Sequence, residues 1–243
     1  MMSQASECLI EPSPQDWCSA KRLDELSTEL SSVLPLFLWA QRLDELLIQW
    51  VRREVLREAF NDNPGDLAEQ NDTPLGWIDK DWSIFKRQDS LICSWCRSQL
   101  EHRLEAMFLA RKSQLDRVTF RMIRVSDLDL ANEIYFRIRA EEATIEELSW
   151  KYGEGAERFQ GGLIKNNRLE DLPSVLGLLM TNLISKDVQI PRKLGNQFAI
   201  FQLRDRDPAV FDESMADELL MDEFNSWQSK VVELLKDHLK LSY

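Results

Sequence analysis

The sequence predicts an α+β protein, with a strand-bearing segment inserted in or attached to an all-α helical domain whose C-terminal helix returns to it. Three observations carry this. Over 118–125 the apolar Val118, Phe120 and Met122 alternate with Thr119 and Arg121, the period of a half-buried strand. On either side of that strand apolar residues instead recur every three and four positions, over 36–60, 89–114 and 212–241, the period of amphipathic helices. A helix such as 212–241 is not stable alone in water, so its apolar stripe has to be buried elsewhere in the chain.

Taken in order, residues 1–15 are polar, contain Pro12 and Pro14, and are expected to be a disordered leader. A helix over 16–33 carries Leu23, Leu26, Leu30 and Val33 on one face, and Pro35 breaks it. The next helix, 36–60, has a broad apolar face of Trp39, Leu43, Leu46, Leu47, Trp50, Val51 and Val55. Arg-Leu-Asp-Glu-Leu starts at both Arg22 and Arg42, but one recurrence does not make a repeat architecture. The stretch 61–76, NDNPGDLAEQNDTPLG, is a turn-rich connection between two helical blocks. Beyond it, Ile92, Trp95, Cys96, Leu100, Leu104, Met107 and Phe108 mark a helix over 89–114 that runs almost directly into the strand.

Ser126 offers an N-cap after the strand, and Leu130, Ala131, Ile134, Tyr135 and Ile138 follow at helical spacing. Thr144 and Glu147 form a capping box that opens a second helix, 145–152, stopped by Gly153 and Gly155. The last helix carries Leu219, Leu220, Phe224, Trp227, Val231, Leu234, Leu235 and Leu239 as its stripe. The economical division is a helical domain over 16–115, a strand-bearing domain over 116–207 and a returning helix over 208–243. An N-terminal bundle with an independent tail helix is the alternative.

The 243 residues, 44% of them apolar, suffice to bury a core. A formal charge of −12 argues against sequence-independent phosphate binding and against docking on an anionic membrane, and so favours polypeptide partners over nucleic acid. No apolar run approaches a membrane span, and the N-terminus has neither a basic nor an apolar signal region, so a cytoplasmic location without membrane insertion is expected. Cys93 and Cys96 share a helix face one turn apart. A zinc site would need two further ligands, and Cys8, Cys18, His102 and His238 are poorly placed to supply them, so no metal or cofactor is expected. The pair reads as small residues on a packed helix. No P-loop, Gly-x-Gly-x-x-Gly, Gly-x-Ser-x-Gly or His-Glu-x-x-His pattern is present, and two histidines outside the strand-bearing segment make a histidine triad implausible.

The order of elements, with Ala131-Asn132-Glu133-Ile134, Ile145-Glu146-Glu147-Leu148, Tyr152-Gly153, Gly161-Gly162, Leu172-Pro173 and 197–203, resembles the parvulin-type (PpiC-like) peptidyl-prolyl isomerase family over about 117–204. Residues 111–118, with helices on either side, resemble a cyanobacterial branch of it. The resemblance implies a small antiparallel-type sheet with helices, a short helix starting near Pro173 and two closing strands. It also implies a pocket with two histidines on neighbouring strands, a cysteine or aspartate after the second helix, and apolar residues that grip the proline ring.

Twisting an X-Pro amide costs about 18–20 kcal/mol, because it breaks the resonance. An apolar cup that withdraws water from the carbonyl lowers that barrier without covalent chemistry. Here the resemblance puts the histidine positions at Met122 and Ala199, and neither is histidine. The cysteine or aspartate falls near Glu154 or Gly155, leaving Glu154 as the candidate catalytic group. The expected pocket lining is Phe120, Met122, Leu169, Leu172, Val175, Leu176 and Ala199.

Two readings follow. One is a parvulin-like isomerase or foldase-type chaperone that binds extended or proline-containing polypeptide, its activity lowered by the loss of both histidines. The other is a non-catalytic peptide-binding adaptor for a peptide export or maturation system. Eight tryptophans, all but Trp150 outside the strand-bearing segment, explain most of a helical core but would also suit an aromatic surface for client chains. Between Asp205 and Glu223 eight acids face one base, Arg206, while five bases and one acid, Asp116, surround the start of the strand. The acidic run is a solvated face, or pairs with a basic partner or with this basic strand region.

Overall fold

A computed structural model describes residues 9–59, 79–183 and 187–239. The predicted 61–76 connection, Cys8 and Trp77 lie outside them. The chain forms two compact units, Met1–Met107 with Asp212–Tyr243, and Phe108–Phe211.

The first unit is helical: α1 Pro14–Trp17, α2 Ala20–Leu30, α3 Leu34–Trp39, α4 Leu43–Ala59, α5 Asp79–Lys86, α6 Gln88–Leu100, the start of α7 Leu104–Leu115, and α11 Glu213–His238. In α11 the residues Leu219, Leu220, Phe224, Trp227, Val231 and Leu235 lie at helical spacing and are fully buried. That stripe packs on α1, α4 and α6. Each such side chain contributes about 1.5–3 kcal/mol on burial. An aromatic cluster holds the centre, with Trp17 edge-on to Trp50 and Trp227, and Trp95 edge-on to Trp227 and Phe224.

Several expected boundaries are corrected. The leader is not disordered over 9–15, because its apolar residue finds a place in the core. Ile10 is fully buried, Glu11 N–H donates to Gln99 Oε1 at 3.0 Å, and Trp227 Nε1 donates to the Pro12 carbonyl at 2.9 Å. Pro35 opens a helix instead of breaking one. It sits in the first turn of α3, where its missing N–H has no intrahelical partner to lose. The continuous helix expected over 36–60 is α3 and α4, parted at Gln41 by a left-handed φ of 57°. The helix expected over 89–114 is α6 and α7, joined by a 3-10 turn at Glu101–Arg103.

The second unit is a four-stranded antiparallel sheet of order β2-β1-β4-β3, made of β1 Arg117–Val125, β2 Leu163–Arg168, β3 Arg192–Leu194 and β4 Gln197–Asp207. Alternation sorts the side chains to two faces. On one face Val118, Phe120, Met122, Ala199, Phe201 and Leu203 form a buried cluster with Leu172 and with Leu176 and Met180 of α10 Ser174–Asn182. On the other, Ile123, Val125 and Ile200 pack against Ala131 and Ile134 of α8 Leu128–Arg139 and against Ile145 and Leu148 of α9 Ile145–Tyr152. The capping box is formed: Glu147 N–H donates to Thr144 Oγ1 at 3.2 Å, and Thr144 N–H donates to Glu147 Oε2 at 2.9 Å. The cap of α8 is Asp127, not Ser126. Its carboxylate accepts from Leu130 N–H at 2.7 Å, while Ser126 is turned to Glu154. Among the described residues no helix is long and apolar enough to cross a membrane.

Candidate functional site

The two positions where a histidine pair was expected lie on adjacent strands. Met122 pairs with Phe201, and Ala199 pairs with Arg124, so Met122, Arg124, Ala199 and Phe201 share one face of the sheet. Six of the seven expected lining residues come together there. Phe120, Met122, Leu169, Leu172, Leu176 and Ala199 belong to one cluster, and none is more than 8% exposed. Val175 does not join them. It is 51% exposed, because α10 turns Leu176 and Met180, one turn apart, to the sheet and leaves Val175 on the outer side. These six residues are thus part of one buried apolar cluster of the sheet-bearing unit.

The polar part of the site was not anticipated. Arg124 ends the run of inward residues on β1, where its guanidinium meets Glu157 in a two-pronged ion pair, Nε to Oε1 at 2.8 Å and Nη2 to Oε2 at 2.6 Å. Glu157 lies in the 3-10 turn Ala156–Gln160, and its side chain is 8% exposed. Burial, the largest single influence, pushes its carboxyl up, but the Arg124 hydrogen bonds, a backbone hydrogen bond and the Arg124 charge together outweigh it and hold the group below the usual carboxylate range. Gly155 lies under this pair. A Cβ there would sit 2.2 Å from both Glu157 carboxylate oxygens and 2.4 Å from Arg124 Nη2. The ion pair thus occupies the space a side chain at 155 would need, and position 155 is one of the two at which a cysteine or aspartate was expected. A sequence signal existed: a charge alternating in phase with Phe120 and Met122 calls for a counter-charge.

The turn that carries Glu157 is fixed by the double glycine. Gly162 has a φ of 74°, and a Cβ on it would lie 2.6 Å from the Met122 carbonyl oxygen. Its N–H donates to the Glu157 carbonyl at 2.9 Å, and Met122 N–H donates to its own carbonyl at 2.8 Å. Arg121 adds a hydrogen bond from Nη1 to the Gly161 carbonyl at 2.5 Å.

Glu154, the candidate catalytic group, is exposed and held as a clasp. Its carboxylate accepts from Ser126 N–H at 3.0 Å, from Ser126 Oγ, and from Gln197 Nε2 at 2.9 Å, joining the end of β1 to the start of β4. The Ser126 hydrogen bonds, helped by Gln197, hold its pKa below the ordinary value. A carboxylate so saturated stays ionised and has no proton to give at neutral pH.

No family model matches the chain, and no curated protein matches it. Solved structures do. The foldase protein PrsA from Streptococcus pneumoniae is 14% identical with a TM-score of 0.46, the match covering 96% of this chain and 87% of that one. The peptidylprolyl isomerase PrsA from Bacillus anthracis is 12% identical with a TM-score of 0.43, covering 85% and 99%. A PpiC-type peptidyl-prolyl cis-trans isomerase domain is 15% identical with a TM-score of 0.36, covering 41% and 99%. The chain is similar to PrsA and PpiC-type structures.

Elsewhere in this unit a cleft of about 460 Å³ opens on the α8 and α9 side of the sheet, between Arg121, Gln202 and Arg204 and the first turn of α9. None of the expected site residues lines it. In the helical unit Cys93 Sγ donates to Asp217 at 3.0 Å and Cys96 is fully buried. Burial first, then Asp217 at Cys93 and the neighbouring Cys93 and Glu223 at Cys96, push the two thiols up to about 12, so neither is a thiolate at neutral pH. Among the described residues no three histidine, cysteine or acidic side chains are grouped to hold a metal ion.

Proposed function

We propose that the chain is a parvulin-like foldase-type chaperone that binds extended polypeptide and has lost rapid prolyl isomerisation. One observation carries this: Met122, Ala199 and Gly155 stand where the resemblance expects histidine, histidine and cysteine or aspartate, and the Arg124–Glu157 pair, on the strand position opposite Ala199, fills the space a side chain at 155 would need. Catalysis needs groups that interact better with the twisted amide than with the planar one. An apolar cluster closed by a satisfied ion pair offers none. Binding is a weaker demand, met by apolar surface, and Phe136, Phe159 and Leu178 in the sheet-bearing unit are each more than 60% exposed. The adaptor reading, docking on a peptide export or maturation system, is favoured by α3, an apolar helix without a buried residue.

Exchange NMR on a panel of X-Pro peptides tests the proposal. Uncatalysed exchange takes tens to hundreds of seconds, so modest catalysis is visible. The expected result is shifted peptide signals with unchanged exchange. Faster cis-trans exchange in the presence of the protein would overturn it.

A further inference from the structure

Most of the charged side chains lining the cleft on the α8 and α9 side of the sheet are matched within the chain. Arg121 Nη2 donates to Glu146 Oε2 at 2.7 Å, Glu147 is taken up by the Thr144 capping box, and Glu142 stands 4.0 Å from Arg137. Three polar ones are not: the side chains of Arg204, Gln202 and Glu141 form no hydrogen bond or ion pair among the described residues. Arg204 owes its position to a bulge. Thr119 of β1 pairs with Asp205 and Phe120 with Leu203, so Arg204 is the extra residue of β4, and such a bulge re-aims the side chain it carries. It lines the cleft together with Gln202, two residues earlier and about 6–7 Å along the strand. Glu141 comes from the turn between α8 and α9, where it holds a left-handed φ of 58°. Ile138, Ala143 and Ile145 supply the apolar wall.

We propose that this cleft takes the C-terminal end of a polypeptide, its carboxylate on Arg204, a peptide group on Gln202, a basic side chain over Glu141 and an apolar one against Ile138 and Ile145. This rests on the polypeptide-binding reading above and adds a second surface, on the opposite face of the sheet from Met122 and Ala199. Each unmatched group names what it would recognise. A guanidinium is a planar fork that meets a carboxylate with two parallel hydrogen bonds. A glutamine amide donates and accepts, the complement of a peptide group. With Arg204 and Glu141 both unmatched, a purely anionic ligand would meet Glu141 and a purely cationic one Arg204, so the ligand brings one charge of each sign. A chain end carries its carboxylate in line with its own backbone, as Gln202 and Arg204 stand in line on β4, whereas an acidic side chain stands off an extended backbone at about a right angle. The cleft's volume of about 460 Å³ lies within the roughly 300–1,000 Å³ of small-ligand sites, and so suits a few residues.

The test uses the full-length chain and a short fluorescein-labelled peptide ending in lysine, alanine and leucine with a free carboxylate, read by anisotropy. One control is the same peptide with an amidated end. The other is an amidated peptide with glutamate in place of the last leucine, which keeps a carboxylate on a side chain only. Arg204→Ala and Glu141→Gln are the variants, and since both residues are exposed their thermal melts should match the wild type. The free-acid peptide should bind, and its amidated form about tenfold more weakly, the scale of a charge-assisted hydrogen bond. Arg204→Ala should weaken the free acid by that factor and leave the amidated form unchanged, because carboxylate and guanidinium act as one pair. Glu141→Gln should weaken both forms alike. Equal binding of free acid and amide, or unchanged free-acid affinity in Arg204→Ala, overturns the inference. Unchanged affinity in Glu141→Gln overturns the placement of the basic side chain. Binding of the glutamate peptide as tight as the free acid gives Arg204 a side-chain carboxylate and overturns the chain end. No binding of any of the three removes the inference, while the polypeptide reading is judged separately on X-Pro peptides with both ends blocked, which have no terminal carboxylate.

Discussion

Gly155 is the residue through which the site can be interrogated most directly. Its φ of −81° suits any residue, so the backbone would accept alanine without strain. What opposes a side chain there is the ion pair, whose flexible ends would have to separate. Gly155→Ala should therefore cost about 2 kcal/mol, the scale of a charge-assisted hydrogen bond, and this cost should largely vanish in a Glu157→Ala background. A double-mutant cycle by urea unfolding measures it, and additive costs would refute the coupling. Glu157 also fixes a pH dependence. Because its folded pKa is depressed, its contribution is present above the unfolded value of about 4.3 and is lost as pH falls through the folded value. The stability gap between wild type and Glu157→Gln should narrow below about pH 4. The sequence exposed the replaced histidine positions, since a family pattern makes an absence visible at Met122 and Ala199. It did not expose Glu157 as their successor, because the pairing depends on the turn that Gly161 and Gly162 lay across β1, a contact between residues 33 apart.

At the scale of elements, legibility follows how local the determinant is. The helix Ile145–Tyr152 is set by its own Thr144 and Glu147, and its bounds could be read without tertiary information. Thr144→Ala should lower stability by about 1 kcal/mol, as N-cap losses do, and should raise hydrogen exchange in the first turn of α9. An unchanged melt and exchange pattern would show the cap to be redundant. The strand β1 was equally plain, since its alternation is a property of nine consecutive residues. Helix breaks were less so. The α3–α4 boundary carries no glycine, only Gln41 in a left-handed conformation, and Pro35 favours the end of one helix and the start of the next about equally. Ile10 was unreadable for another reason. A single apolar residue in a polar, proline-bearing stretch has no periodicity, and its burial is decided by the helical core it meets.

For the whole chain, the separation of charge predicts a separation of responses to salt. The helical unit carries the entire net negative charge, while the sheet-bearing unit is nearly neutral. Self-repulsion within an acidic unit opposes its compact state, and screening at high ionic strength relieves it. The same salt weakens ion pairs such as Arg52–Asp89 and Lys236–Asp44, but each has a well-exposed acid and contributes only about 0–1 kcal/mol. Relief of repulsion should therefore win. The tryptophans supply the readout, because among the described residues six of the seven, all but Trp150, lie in the helical unit, so their fluorescence follows that unit almost alone. Going from about 0.02 M to 0.5 M NaCl shortens the screening length from roughly 20 Å to a few ångströms. The fluorescence-detected melting temperature should rise over that range, while hydrogen-exchange protection in β1 and β4 should change little. A falling melting temperature would mean that the ion pairs of the helical unit, and not its excess of acids, dominate its electrostatics.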